Sequence, residues 1–138
     1  MKNKIELISF ADVAHQHITF DRNYLPDSII LKLIDTKWVQ RLKQIKQTGY
    51  TSQVYPFAEH SRFGHSLGVA FLASQVLKNL KEYHPEKVRD YEVAISAASI
   101  LHDIGHLAPG SHLAERVWKE NYKNINHETI TRRIIFNH

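Results

Sequence analysis

A chain of 138 residues is long enough for one domain with a hydrophobic core and too short for two. Its 43% hydrophobic and 23% charged residues are those of an ordinary soluble globular protein; no stretch supplies the ~20 apolar residues that span a bilayer. Cysteine is absent, which excludes disulfides and thiolate metal sites and makes a reducing cytoplasm the expected setting; Met1-Lys2-Asn3-Lys4 leads into no apolar signal segment, and a net charge of +4 spread along the chain is weak support for a nucleic-acid partner.

In chain order, Lys4–Phe10 and His17–Phe20 carry the β-branched and aromatic residues of short strands, with Ala11–Gln16 as the turn of a small hairpin. After a loop over Asp21–Leu25, Pro26 opens a helix over Asp27–Ile34. Thr36 can cap a second helix, Lys37–Lys46, with Trp38, Leu42 and Ile45 at helical spacing and Gly49 closing it. Tyr50–His60 reads as an ordered loop packed down by Tyr50, Tyr55 and Phe57. Ser61–Tyr83 is the longest helical pattern, with His65, Val69, Leu72 and Val76 on one core-facing stripe. Pro85 breaks the chain, and Glu86–His102 follows with Ala94, Ile95, Ala98 and His102 on a common inward side. Ser111–Glu120 and Asn126–Asn137 are two further helices. The expected fold is an all-α helical bundle with a small N-terminal β-hairpin, one domain over 1–138.

The chain turns on Ile100–His112, reading ILHDIGHLAPGSH. A helix delivers an imidazole and a carboxylate side by side at its last turn, and both reach one ion only where the helix ends, which Gly105 permits. Neutral imidazole plus carboxylate suits Mn, Fe, Mg or Zn. His65 and His102 both point inward from neighbouring helices, an arrangement able to hold an ion. A core histidine bonded to the adjacent aspartate accounts equally well for the dyad alone.

His65, His102 and Asp103 resemble three of the four metal ligands of the HD-domain phosphohydrolases, whose signature is H…HD…D. The stretch IDTKWVQRLKQIKQTGYTSQVYPFAEHSRFGHSLGV, Ile34–Val69, resembles the N-terminal part of the deoxynucleoside triphosphate triphosphohydrolases of that superfamily. So do Asp12–Ile18, ILHDIGH and His127-Glu128. The resemblance implies an HD-type helical bundle that uses a divalent metal to hydrolyse deoxynucleoside triphosphates to deoxynucleoside and triphosphate. It assigns the metal to His65, His102 and Asp103, the triphosphate to Arg62 and the sugar to Gln47 and Thr48. Phosphate binding or proton donation falls to His106, His112 and His127, and Glu115, three residues after His112, is placed to orient its imidazole. Asp35, Gln40 and Lys43 stand where some members bind a regulatory guanine nucleotide, Lys43 replacing an arginine. Here the run from His106 to His112 is one residue longer than the family's, and no aspartate follows His127. A domain incomplete at the C-terminus is therefore expected, with apolar Ile130, Ile134, Ile135 and Phe136 seeking cover, so that aggregation or a homo-oligomer is expected. Other readings are an HD hydrolase of another phosphate ester, or a non-catalytic nucleotide- or nucleic-acid-binding fragment.

Overall fold

Alternation sets the first element. In a computed structural model, which describes residues 5–110, 112–122 and 125–137 (backbone alone for 112–114), β1 (Leu7–Asp12) pairs antiparallel with β2 (Gln16–Asp21). Ile8 faces Phe20 and Phe10 faces Ile18 across the pair. Ile18 and Phe20 are fully buried, as a half-covered strand of period two requires. Asp12 closes the turn by accepting from the amides of Ala14 and His15 at 3.0 and 2.8 Å, and Gln16 takes a left-handed φ of 61°. The helices are α1 (Leu25–Ile34), α2 (Lys37–Arg41), α3 (Arg62–Tyr83), α4 (Pro85–Leu101), α5 (His112–Asn121) and α6 (His127–Phe136). The expected helix over Lys37–Lys46 tightens after Arg41 into a 3-10 turn, Leu42–Gln44, and Gly49 (φ 60°) opens a second, Gly49–Gln53. No helix among the described residues is long and apolar enough to cross a membrane.

The chain packs as two compact units, Met1–Thr36 with Leu67–Ile100, and Lys37–Ser66 with Leu101–His138. In the first, Ile18, Phe20, Ile30, Ile34, Leu77 and Ile100 are buried around a polar knot. The fully buried Asp27 accepts from Ser74 Oγ at 2.6 Å, Lys78 Nζ at 2.7 Å and the Asp21 amide at 2.9 Å. Glu92, also buried, accepts from Tyr24 Oη at 2.6 Å and Lys81 Nζ at 2.7 Å.

Those two carboxylates overturn the expected helix faces. Leu72 and Val76 of α3 are 51% and 55% exposed, whereas Ala70, Ser74 and Leu77 are buried. On α4, Ala94, Ile95 and Ala98 face out, and Val88, Glu92, Ser96 and Ile100 face in. A buried carboxylate must be satisfied, so Ser74 and Lys78 are drawn to Asp27, and Glu92 inward to Tyr24 and Lys81. A second correction concerns the Tyr50–His60 loop: Tyr50, Tyr55 and Phe57 are 72%, 65% and 99% exposed, so aromatic packing does not hold it. Polar ties do, from Thr48 Oγ1 to the Ala58 carbonyl at 3.0 Å, Lys46 to Glu59 at 2.6 Å and the Gln47 amide to the His60 carbonyl at 3.0 Å.

Candidate metal centre

The site lies within the second unit. Ser61 caps α3, its Oγ accepting from the Gly64 amide at 3.3 Å. The Arg62 amide meets the Ile45 carbonyl at 2.8 Å, which fixes where the helix starts. His65 therefore sits on the first turn of α3. At the other side α4 stops at Leu101, and the Ile104 and His106 amides turn back to the Leu101 and Asp103 carbonyls. His102 and Asp103 stand just past that helix end, where adjacent side chains can aim at one point.

The Nε2 atoms of His65 and His102 are 3.3 Å apart, with ring planes at 71°. Asp103 Oδ1 is 3.5 Å from His102 Nε2, and Oδ2 is 4.0 Å from His65 Nε2. With metal–nitrogen bonds of about 2.0–2.1 Å, two imidazoles on one tetrahedral ion stand about 3.4 Å apart. These donors fit a divalent ion. Burial pushes the His65 imidazole below its usual range, outweighing the Asp103 charge, and so favours the neutral form that ligates. Burial alone would raise the Asp103 carboxyl, but the His106 hydrogen bond, the neighbouring His102 and the Arg62 guanidinium together hold it well below the usual range.

A second group, Asp103 with His106 and His127, also brings its donors within 4.8 Å. Its imidazoles are stacked, however, 4.0 Å between centroids and 13° from parallel. Ring-nitrogen lone pairs lie in the ring plane, so parallel stacked rings do not converge on one ion. The T-shaped pair brings its Nε2 atoms to 3.3 Å. His106 instead meets Asp103 Oδ1 at 3.4 Å, and His127 Nδ1 meets Glu115 Oε1 at 2.8 Å. Glu115 is held down to about 2: burial raises it, and the His127 hydrogen bond and charge, with Lys119, outweigh that. Beside the stack lies a cavity of about 30 Å³ bounded by His106, Glu115, Trp118, His127 and Ile130, room for about one water molecule.

Arg62 is 2% exposed. Its guanidinium donates to Asp103 Oδ2 at 2.8 Å, to the Gln47 carbonyl at 3.3 Å and to the Gly110 carbonyl. Gly110 (φ 80°) is glycine because a Cβ there would strike the Lys46 carbonyl and Ile45. Gln47 Oε1 is buried with no hydrogen-bond partner among the described residues, and the Thr48 hydroxyl is taken by Ala58. Lys43 donates to Gln40 at 2.7 Å and lies over the Phe63 ring. The His112 side chain lies outside the described residues. Two residues given no role by spacing touch the dyad turn, Arg41 and Thr131. A guanidinium or hydroxyl that meets only backbone carbonyls and amides leaves no motif to find.

The HD-domain family model matches residues 62–138, more than half of the chain, taking in Arg62, His65, His102 and Asp103. The chain belongs to the HD-domain family. Among relatives of this HD-domain protein, the deoxynucleoside triphosphate triphosphohydrolase SAMHD1 of Gallus gallus is 41% identical over 107 residues, 75% of this chain and 16% of the relative. The uncharacterized protein YwfO of Bacillus subtilis is 37% identical over 126 residues, 91% of this chain and 27% of the relative. The crystal structure of a phosphohydrolase from Bacteroides thetaiotaomicron superposes with a TM-score of 0.75 at 33% identity, covering 96% of this chain and 30% of that one. The HD-domain chain thus spans less than a third of the length of each of these proteins.

Proposed function

We propose that the chain carries metal-dependent phosphohydrolase chemistry and acts on deoxynucleoside triphosphates, giving deoxynucleoside and triphosphate. The observation that carries this reading is the pair of imidazole nitrogens 3.3 Å apart beside the buried Asp103 carboxylate. His65, His102 and Asp103 would hold a divalent ion (Mn, Fe, Mg or Zn by donor type), which would supply positive charge and lower the pKa of water at the α-phosphorus. Arg62 keeps Asp103 ionised and aimed. Glu115 holds the His127 ring by Nδ1, leaving Nε2 for a phosphate oxygen or for a proton to the departing 5′-oxygen. His106 braces that ring by stacking, and His112 is a second proton donor on the family pattern. Gln47 offers an unpartnered amide oxygen to a sugar hydroxyl. The kinship to a protein named a deoxynucleoside triphosphate triphosphohydrolase supports this substrate class. Assembly into a homo-oligomer is part of the same proposal.

The test is incubation with each deoxynucleoside triphosphate and Mn²⁺ or Mg²⁺, separating products by ion chromatography. Triphosphate and deoxynucleoside are expected, and a His102→Ala, Asp103→Ala variant should yield none. Release of pyrophosphate or single phosphate instead, or no product from any deoxynucleotide, overturns the substrate assignment.

A further inference from the structure

The turn that carries the dyad is gripped from two sides by side chains the proposed chemistry does not use. Arg41, which closes α2, donates from one guanidinium nitrogen to the Ile104 carbonyl at 3.2 Å and from the other to the His106 carbonyl at 2.6 Å. Thr131 of α6 accepts from the Gly105 amide at 3.0 Å, and its hydroxyl approaches the His102 carbonyl at 3.4 Å. Carbonyls at and beyond a helix end have no partner inside the helix, and a planar guanidinium reaches two of them where an ammonium reaches one. Burial lowers the Arg41 pKa, and among the described residues its charge meets carbonyls, not a carboxylate. A partly buried cation without a counter-charge carries a cost, so its placement serves the turn it holds. Gly105 makes the second grip close: a Cβ there would collide with the His127 carbonyl and with Thr131.

We propose that Arg41 and Thr131 are positioning residues of the metal centre, fixing from two sides the turn that presents His102, Asp103 and His106. This inference rests on the reading of His65, His102 and Asp103 as the metal site. Groups that orient ligands without touching the ion typically change metal affinity 10–100-fold.

The experiment uses the full chain and its Arg41→Met, Arg41→Lys and Thr131→Val variants, titrated with Co²⁺ and followed by the visible absorption of the bound ion. Amide hydrogen exchange at Gly105 and His106 is measured without metal. Arg41→Met and Thr131→Val should bind Co²⁺ about 10–100-fold more weakly with an altered band, and Arg41→Lys should fall between them and wild type. Gly105 exchange should quicken in Thr131→Val. Variants that keep the wild-type circular dichroism and melting temperature and also the wild-type affinity and band overturn the proposal. Should Arg41→Met fail to fold, Thr131→Val, near-isosteric and without charge change, carries the decision. Wild-type protein that takes up no Co²⁺ defeats the metal reading itself, and unchanged Gly105 exchange in Thr131→Val then overturns the grip independently.

Discussion

Arg62 and Asp103 form a buried ion pair, 2% and 4% exposed, and each would be stranded without the other. Removing one partner of such a pair leaves a buried charge uncompensated, a cost of about 3–5 kcal/mol. Arg62→Met, measured by urea unfolding without added metal, should lose stability in that range; a loss below about 1 kcal/mol would mean that water reaches Asp103 freely. Divalent ion should restore part of the loss, because it supplies the missing positive charge. His65, His102 and Asp103 were legible in the sequence because metal ligation constrains residue type and spacing together. The Arg62–Asp103 pair was not. An arginine one turn before a histidine says nothing about whether its fork turns to solvent or inward; its bonds to Asp103 and to the Gly110 carbonyl show that it turns inward.

Between elements, α5 and α6 are joined by the Glu115–His127 contact at 2.8 Å, with the His127 amide adding a longer bond at 3.4 Å. Glu115 is held at about 2 against an ordinary 4.5. A folded pKa below the unfolded one gives stability that is fully present above about 4.5 and is lost as pH falls toward about 2. At about 1.4 kcal/mol per pH unit this is on the order of 3 kcal/mol. Urea midpoints taken between these limits should fall steeply for wild type and flatten for Glu115→Gln; parallel curves would deny the pair its role. Helix existence was legible throughout, from Pro26, Gly49, Pro85 and the apolar runs. The inward faces of α3 and α4 differ from those the periodicity predicts because hydrophobic periodicity weighs Leu72, Val76 and Ile95 but not a buried Asp27 or Glu92. The Asp27 knot demands Ser74 and Lys78, and a rule that scores them as polar turns the helix the wrong way.

At the scale of the whole molecule, the outward apolar face of α3 has a physical consequence. Leu72, Val76 and Leu80 recur every four residues along α3 and are 51%, 55% and 44% exposed, with Tyr83 at 76% beyond them. Side chains at i, i+4 and i+8 lie on one face, so this is a continuous apolar stripe, unlike the singly scattered exposed residues of ordinary surfaces. Burying each such side chain fully is worth about 1.5–3 kcal/mol. A net charge of +4 on 138 residues opposes association only weakly, and less so in salt. The chain is therefore expected to self-associate through this face. Sedimentation velocity from about 1 to 100 µM, spanning ordinary association constants, should show species heavier than 16.1 kDa growing with concentration. A Leu72→Glu, Val76→Lys double variant places a favourable i,i+4 pair on the same helix, so it should keep the helical circular dichroism and run as a monomer. A wild-type chain that stays at 16.1 kDa throughout, or a double variant that associates as before, would show that this stripe does not drive assembly.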